Sequence, residues 1–99
     1  MPTIITGTAP GTSPPITLNQ SLKMSFQLSV QGGGAVSATA AIEGSHDGQG
    51  WINIATLNAG GNGYATDGGT FETYFPQVRA RLTAVTGTAT VYWGGVKWT

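Results

Sequence analysis

Between Leu22 and Val30 the chain alternates without a break. Leu22, Met24, Phe26, Leu28 and Val30 are apolar, and Lys23, Ser25, Gln27 and Ser29 separate them. Period-two alternation marks a strand with one buried face. QGGG at 31–34 reads as a flexible turn, and residues 35–44 form a second run in which Val36, Ala38, Ala40 and Ile42 face the core. Two such runs joined by a glycine turn predict a hairpin. WINIATL, 51–57, is rich in β-branched and aromatic residues and predicts a third strand. Residues 58–70 hold five glycines and read as a long loop, and FETYF, 71–75, as a short strand halted by Pro76. Residues 77–85 alternate again, with Val78, Ala80, Leu82 and Ala84 inward and Gln77, Arg79, Arg81 and Thr83 outward. A turn at Thr86-Gly87 leads to the last strand, 88–98.

No segment carries a helical repeat. Short strands at close spacing with glycine turns predict an all-β protein: a single β-sandwich over 22–99, jelly-roll or immunoglobulin-like in topology, with an extended N-terminal arm over 1–21. The arm holds four of the five prolines and few large side chains, so it cannot build a core of its own. It is either a loose terminus or an arm on a neighbouring subunit, anchored by Ile4, Ile5, Ile16 and Leu18. The last strand is apolar on both faces, with Tyr92, Val96 and Trp98 on one and Ala89, Val91 and Trp93 on the other. A bulge at Gly94-Gly95 would gather them on one inner face. Otherwise Tyr92, Trp93 and Trp98 belong to an exposed patch of the kind that marks contact surfaces.

Composition narrows the function. Ninety-nine residues make one domain. Only 8% are charged, against about 25% in average soluble domains. A surface so poor in charge is weakly protected against association, which fits a protein that works packed against others. Four basic and four acidic residues cancel without clustering, so direct nucleic-acid binding is not expected. The absence of cysteine removes disulfides and thiolate metal sites and fits synthesis in a cytoplasm. The N-terminus does not read as a secretory signal, and no apolar run approaches the roughly 20 residues that cross a bilayer, so no membrane partner is expected.

The candidate chemistry is sparse. GSHDGQGW, 44–51, places the single histidine, His46, beside Asp47. Catalysis needs a nucleophile or a second acid–base group, and neighbours in an extended chain point to opposite faces. Asp47-Gly48 is instead a favoured turn pair, since Asp accepts backbone hydrogens and Gly supplies positive φ. The glycine clusters lack the Gly-Lys-Ser/Thr of a phosphate loop and the spaced aspartates of a calcium loop. Neither an enzyme nor a cofactor or metal site is expected. Arg79 and Arg81 share one face of a strand and either grip an anion or pair with an acid such as Glu72. Asn19-Gln20-Ser21 fits a glycosylation sequon, which matters only in a secreted protein.

Two stretches, EGSHDGQGWINIATL and FPQVRARLTAVTGTATVYWGG, together resemble small β-sandwich structural proteins of tailed-bacteriophage virions. The matching positions are Gly44, Ser45, Asp47, Gly48 and Trp51, then Pro76, Arg79, Ala80 and Thr86 to Ala89, and the likeness covers about residues 35–97. Brevity and the proline-rich arm make the chain most similar to capsid decoration, or cement, proteins. That resemblance implies a place on the capsid surface after synthesis in the host cytoplasm. It also implies binding across capsid subunit junctions, with the major capsid protein and neighbouring copies as partners in a homo-oligomeric array. The same resemblance fits a tail, neck or fibre-base subunit. From another class, a carbohydrate-binding module is open, with Trp51, Tyr64, Trp93 and Trp98 stacking sugars and Asn53, Asn58 or Asp67 binding hydroxyls.

Overall fold

The computed structural model describes residues 3–17, 22–73 and 75–97. They form seven strands and, among the described residues, no helix. The strands are β1 (Thr3–Gly7), β2 (Gly11–Thr12), β3 (Ile16–Thr17), β4 (Leu22–Ser45), β5 (Ile52–Thr73), β6 (Gln77–Thr86) and β7 (Thr88–Lys97). The protein is all-β, and its strands form a single antiparallel sheet nearly closed into a barrel-like shape.

The 24-residue β4 is the spine. β5 follows one flank from Leu22↔Thr73 to Gly44↔Ile52. The other flank is shared: β7 pairs with the first half, from Leu22↔Lys97 to Gln31↔Thr88, and β6 with the second, from Ser37↔Thr86 to Ser45↔Gln77. Only Gly87 separates β6 from β7, so the two run as one long line bent at a single residue. β1 lies outside β7, and β2 and β3 lie outside β6. Four long lines therefore lie side by side, and the pairing of β4 with both of its neighbours shifts at the same level.

That level is a fold in the sheet. Gln31 pairs with Tyr64 and Ala35 with Asn62, so residues 32–34 of β4 face only Gly63 of β5. On the other flank, residues 32–36 face only Gly87. The two short-cut residues have φ of 78° and 107°, values that strain any L side chain. At the opposite end, Thr73 pairs in the first half of the sheet and Gln77 in the second. The chain between them spans at most about 14 Å, which keeps the two open ends close. The sheet is thus doubled over and stitched shut by a short connection.

The core fills the space between the halves. Met24, Phe26, Leu28 and Val30 come from the first half of β4, and Val36, Ala38, Ala40 and Ile42 from the second; Leu57, Ala59, Val78, Ala80, Leu82, Ala89 and Val91 complete it. Phe71 packs on Phe26 with ring centroids 6.2 Å apart.

Several expectations are corrected by this arrangement. The predicted hairpin at QGGG is one continuous strand carrying the fold, because both neighbours of β4 cross the same level and hold its halves in one sheet. The predicted loop at 58–70 is part of β5, and 71–73 is its end rather than a separate strand. Gly68 is a site of close approach: a Cβ there would lie 2.6 Å from the Phe26 carbonyl oxygen. Ala84 is exposed, not inward, because the register skips Thr83 between Thr39↔Ala84 and Ala40↔Leu82. The skip reverses the alternation, and Val85 packs on the core instead. Gly94-Gly95 carries no bulge against β4, since both pair in unbroken register with Ser25 and Met24. Ala89 and Val91 accordingly face in with Trp93 against the core, and Tyr92 lies on the outer face among Thr88 and Thr90. The layers expected as separate sheets are two halves of one sheet.

The N-terminal segment is also placed on this chain itself. Ile4, Ile5 and Ile16 pack against the core. Ser13 is buried and pinned to β6: its N–H donates to Ala80 O, and its Oγ accepts from Ala80 N–H, both at 2.9 Å. The segment belongs to the same sheet because β6 and β7 would otherwise leave a row of backbone groups unpaired. Leu18, Trp98 and the sequon at 19–21 lie outside the described residues.

The corner at Gly87 gives a direct test. A Cβ there would sit 2.7 Å from Gln31 O and 3.0 Å from Val36 Cγ1. Gly87→Ala is expected to lower unfolding free energy by about 3 kcal/mol, read from the urea midpoint. Gly33→Ala, with nothing within 4 Å, is expected to change it by about 0.5 kcal/mol or less.

Candidate functional site

The turn from β4 to β5 is organised by two side chains. Asp47 Oδ1 accepts from the N–H groups of Gln49 and Gly50, both at 2.8 Å, and from the Ser45 hydroxyl at 3.1 Å. Ser45 is fully buried, and its Oγ accepts from Gly48 N–H at 2.9 Å and Asp47 N–H at 3.3 Å. Gly48 supplies the positive φ of 76°. The Gln49 and Gly50 N–H groups, followed by the Ser45 hydroxyl, hold the Asp47 carboxyl below its ordinary value of 3.8.

His46 is exposed, with its ring centroid 4.9 Å from that of Phe75. Phe75 in turn lies over Gly44, where a Cβ would fall 2.5 Å from the ring. Asp47 Oδ1 is committed to the turn, and among the described residues no hydrogen bond joins its carboxylate to His46. Histidine and aspartate are neighbours in sequence but do not form a dyad. Among the described residues, no three His, Asp or Glu side chains converge as metal ligands.

Arg79 and Arg81 find an acid, but not Glu72. Arg79 lies across from Glu43, and its Nε–H donates to Glu43 Oε1 at 2.9 Å; Arg81 Nη2 lies 3.3 Å from Oε2. The Glu43 side chain is 9% exposed, while those of Arg79 and Arg81 are 23% and 46% exposed. Trp51 covers the other side of Arg79, with the guanidinium carbon 4.1 Å from its ring centroid. Register explains the choice of acid: Glu72 stands opposite Lys23 in the other half of the sheet. The alternating run in β6 predicted both arginines on one outer face, but not which strand β6 would lie beside. The cluster leaves Arg81 half in solvent.

The side chains expected to hold a sugar are dispersed. Trp51 is stacked under Arg79, and Trp93 packs against the core. Asn53 donates to Thr56; Asn58 accepts from Thr39 through its side chain and donates its N–H to Asp67. Tyr64 alone remains prominent, at 54% exposed. It borders a groove of about 250 Å³ on the outer face of the first half-sheet, lined by Gln27, Ser29, Gln31, Thr88, Thr90 and Tyr92. Sequence alternation marked Gln27 and Ser29 as outward, but Gln31 and Tyr64 fell in an expected turn and loop, and only the pairing of β5, β4 and β7 brings the lining together.

Comparison with known proteins gives no match to a family model, a curated protein or a solved structure.

Substitutions at two positions, Glu43 and Asp47, probe these clusters. Isolated surface ion pairs contribute about 0–1 kcal/mol, and breaking a buried pair costs about 3–5 kcal/mol. Glu43 is buried but its arginine partners reach solvent, so Glu43→Ala is expected to lower unfolding free energy by about 2 kcal/mol, read from the urea midpoint, with Glu43→Gln keeping the packing and losing less. Because the carboxyl of Asp47 is depressed in the fold, its stabilising effect is complete above the ordinary carboxyl value. It is lost as pH falls through the folded value. Asp47→Ala should lower the melting temperature at pH 7, and the gap from wild type should narrow towards pH 2.

Proposed function

We propose that this chain is a structural subunit of a tailed-bacteriophage particle, a capsid decoration protein that binds across capsid subunit junctions and stabilises the shell. The observation that carries the proposal is the free side of β5. Among the described residues this 22-residue strand pairs with β4 alone, and it contains no proline, lysine or arginine. Free-standing proteins usually guard so long an edge with charge, proline or cover. Here the charges are two: Glu72 near one end, opposite Lys23, and Asp67 in the middle, where its carboxylate accepts the N–H groups of Asn58 and Gly68, both at 2.9 Å. The flanking stretches offer backbone donors and acceptors that a capsid subunit, or a neighbouring copy, can extend with little sequence demand.

Three further features support this reading. The surface is poor in charge, as a permanently packed protein tolerates. Ser45, Asp47 and Gly48, which carry part of the resemblance to virion proteins, cooperate in one turn. The doubled-over sheet supplies a two-layer core, which we read as the β-sandwich of that class with its layers drawn from one sheet. A protein that buries surface across a junction stabilises the shell by mass action, because opening the shell must first release it.

Co-sedimentation with expanded capsids of its own phage tests the proposal. Saturable binding and a raised capsid melting temperature are expected. The pair Thr56→Lys and Thr70→Lys, both at exposed β5 positions, should weaken capsid binding by about tenfold or more while the isolated protein melts normally. No binding to any shell form overturns the decoration role, and binding to tails alone moves the protein to the tail.

A further inference from the structure

We infer that the groove between Tyr64 and Tyr92 is a binding site for a neutral saccharide. The site is separate from the β5 edge, and its fate does not depend on the capsid proposal. Its floor is formed by β4 through Gln27, Ser29 and Gln31 and by β7 through Thr88 and Thr90. Tyr64 stands opposite Gln31 on β5, and Tyr92 opposite Gln27 on β7, so the two phenols mark diagonal corners. Strand spacing makes this floor about 10 Å across and about 13 Å along. That area accommodates one or two sugar rings laid flat.

The lining chemistry selects the ligand class. No lining residue is charged, so a phosphate, carboxylate or ammonium group would lose its hydration with no opposite charge to replace it. Pockets for drug-like molecules are larger and mostly apolar, whereas this one presents hydroxyls and amides. The main chain beneath is already paired between β4 and β7, so a peptide strand cannot be added there. A ligand with many neutral donors and acceptors, and a C–H face to lie against a phenol ring, satisfies every group present. Those are the properties of a neutral saccharide.

The site is also held in shape. Gln27 Nε2 donates to Thr66 Oγ1 at 3.1 Å and to Ser29 Oγ at 3.3 Å. Ser29 Oγ shares a hydrogen bond of 3.2 Å with the Tyr64 hydroxyl, which ties that ring to the floor although Tyr64 is largely in solvent. Thr66 Oγ1 donates to Leu28 O at 2.9 Å, anchoring the network to the backbone. On the far side, Thr90 and Thr6 share a hydrogen bond of 2.8 Å. Hydroxyls positioned before binding spare a ligand the entropy of ordering them.

The test uses the full chain. A glycan array carrying neutral and sialylated oligosaccharides is screened first. Glucose, galactose, mannose and N-acetylglucosamine are then titrated individually against ¹⁵N-labelled protein, whatever the array shows. Saturable shifts centred on Ser29, Thr88 and Thr90 with at least one neutral sugar are expected. Tyr64→Ala and Tyr92→Ala, which remove exposed or half-exposed rings, should each weaken that binding by about tenfold. Trp51→Phe, in the other half of the sheet, should leave it unchanged. The inference is overturned by the absence of saturable shifts with every neutral sugar, by binding confined to sialylated glycans, or by full affinity in both tyrosine variants.

Discussion

The sheet's fold-over at one level is the constraint from which the rest of the structure follows. A flat antiparallel sheet of these strands would expose Met24, Phe26, Leu28 and Val30 on the same side as Val36, Ala38, Ala40 and Ile42, with nothing to cover either set. Doubling it over turns each set into the other's cover. The bend is possible because β4 spends surplus residues at 32–36 while its neighbours cross at Gly63 and Gly87. At those crossings the backbone adopts left-handed φ, and at Gly87 it lies too close to Gln31 for a side chain. One bend thus supplies a second layer to a chain too short to afford two independent sheets.

The bend also sorts the surfaces by chemistry. In the second half, the register of β4 with β6 sets Glu43 between Arg79 and Arg81, and Trp51 closes over Arg79. Three of the eight charged side chains meet there, two arginines on one glutamate. In the first half, the register of β4 with β5 and β7 sets uncharged hydroxyls and amides side by side between two tyrosines. β5 remains the outer line of both halves, and Asp67 bridges its two arms across the bend by holding Asn58 N–H nine residues away. The two proposed activities draw on different surfaces: shell binding on the outer edge of β5, and sugar binding on the groove of the first half.

Much of the core was legible before any fold was known. Perfect alternation at 22–30 leaves only one side to bury, and the looser run from Val36 to Ile42, broken by the buried Ala41, points the same way; every described member of those inner sets is buried. Asp47-Gly48 was legible as a turn for an equally local reason, because its hydrogen bonds run to residues two or three positions away. The glycine-rich stretch at 58–70 misled because glycine weakens a strand in isolation. In the sheet its missing side chains let β5 press against β4 near Phe26. Ala84 misled because a single skipped residue on β6 reverses all that follows it, and no periodicity within one strand records where its neighbour skips.

What the sequence determined by itself was local: which residues alternate, where glycine or Asp-Gly permits a turn, and that charge is scarce. Those properties depend on side-chain spacing and backbone freedom, which the order of residues contains. Pairing was decided only by the tertiary structure. It joined Arg79 to Glu43 rather than Glu72, laid the N-terminal segment along β6 and β7 of its own chain, and drew Tyr64, Ser29 and Tyr92 from three strands to one groove. Each of these contacts joins residues far apart in sequence. Their partners were fixed when the doubled sheet chose a register that buried one face completely, and no short stretch of sequence carries that choice.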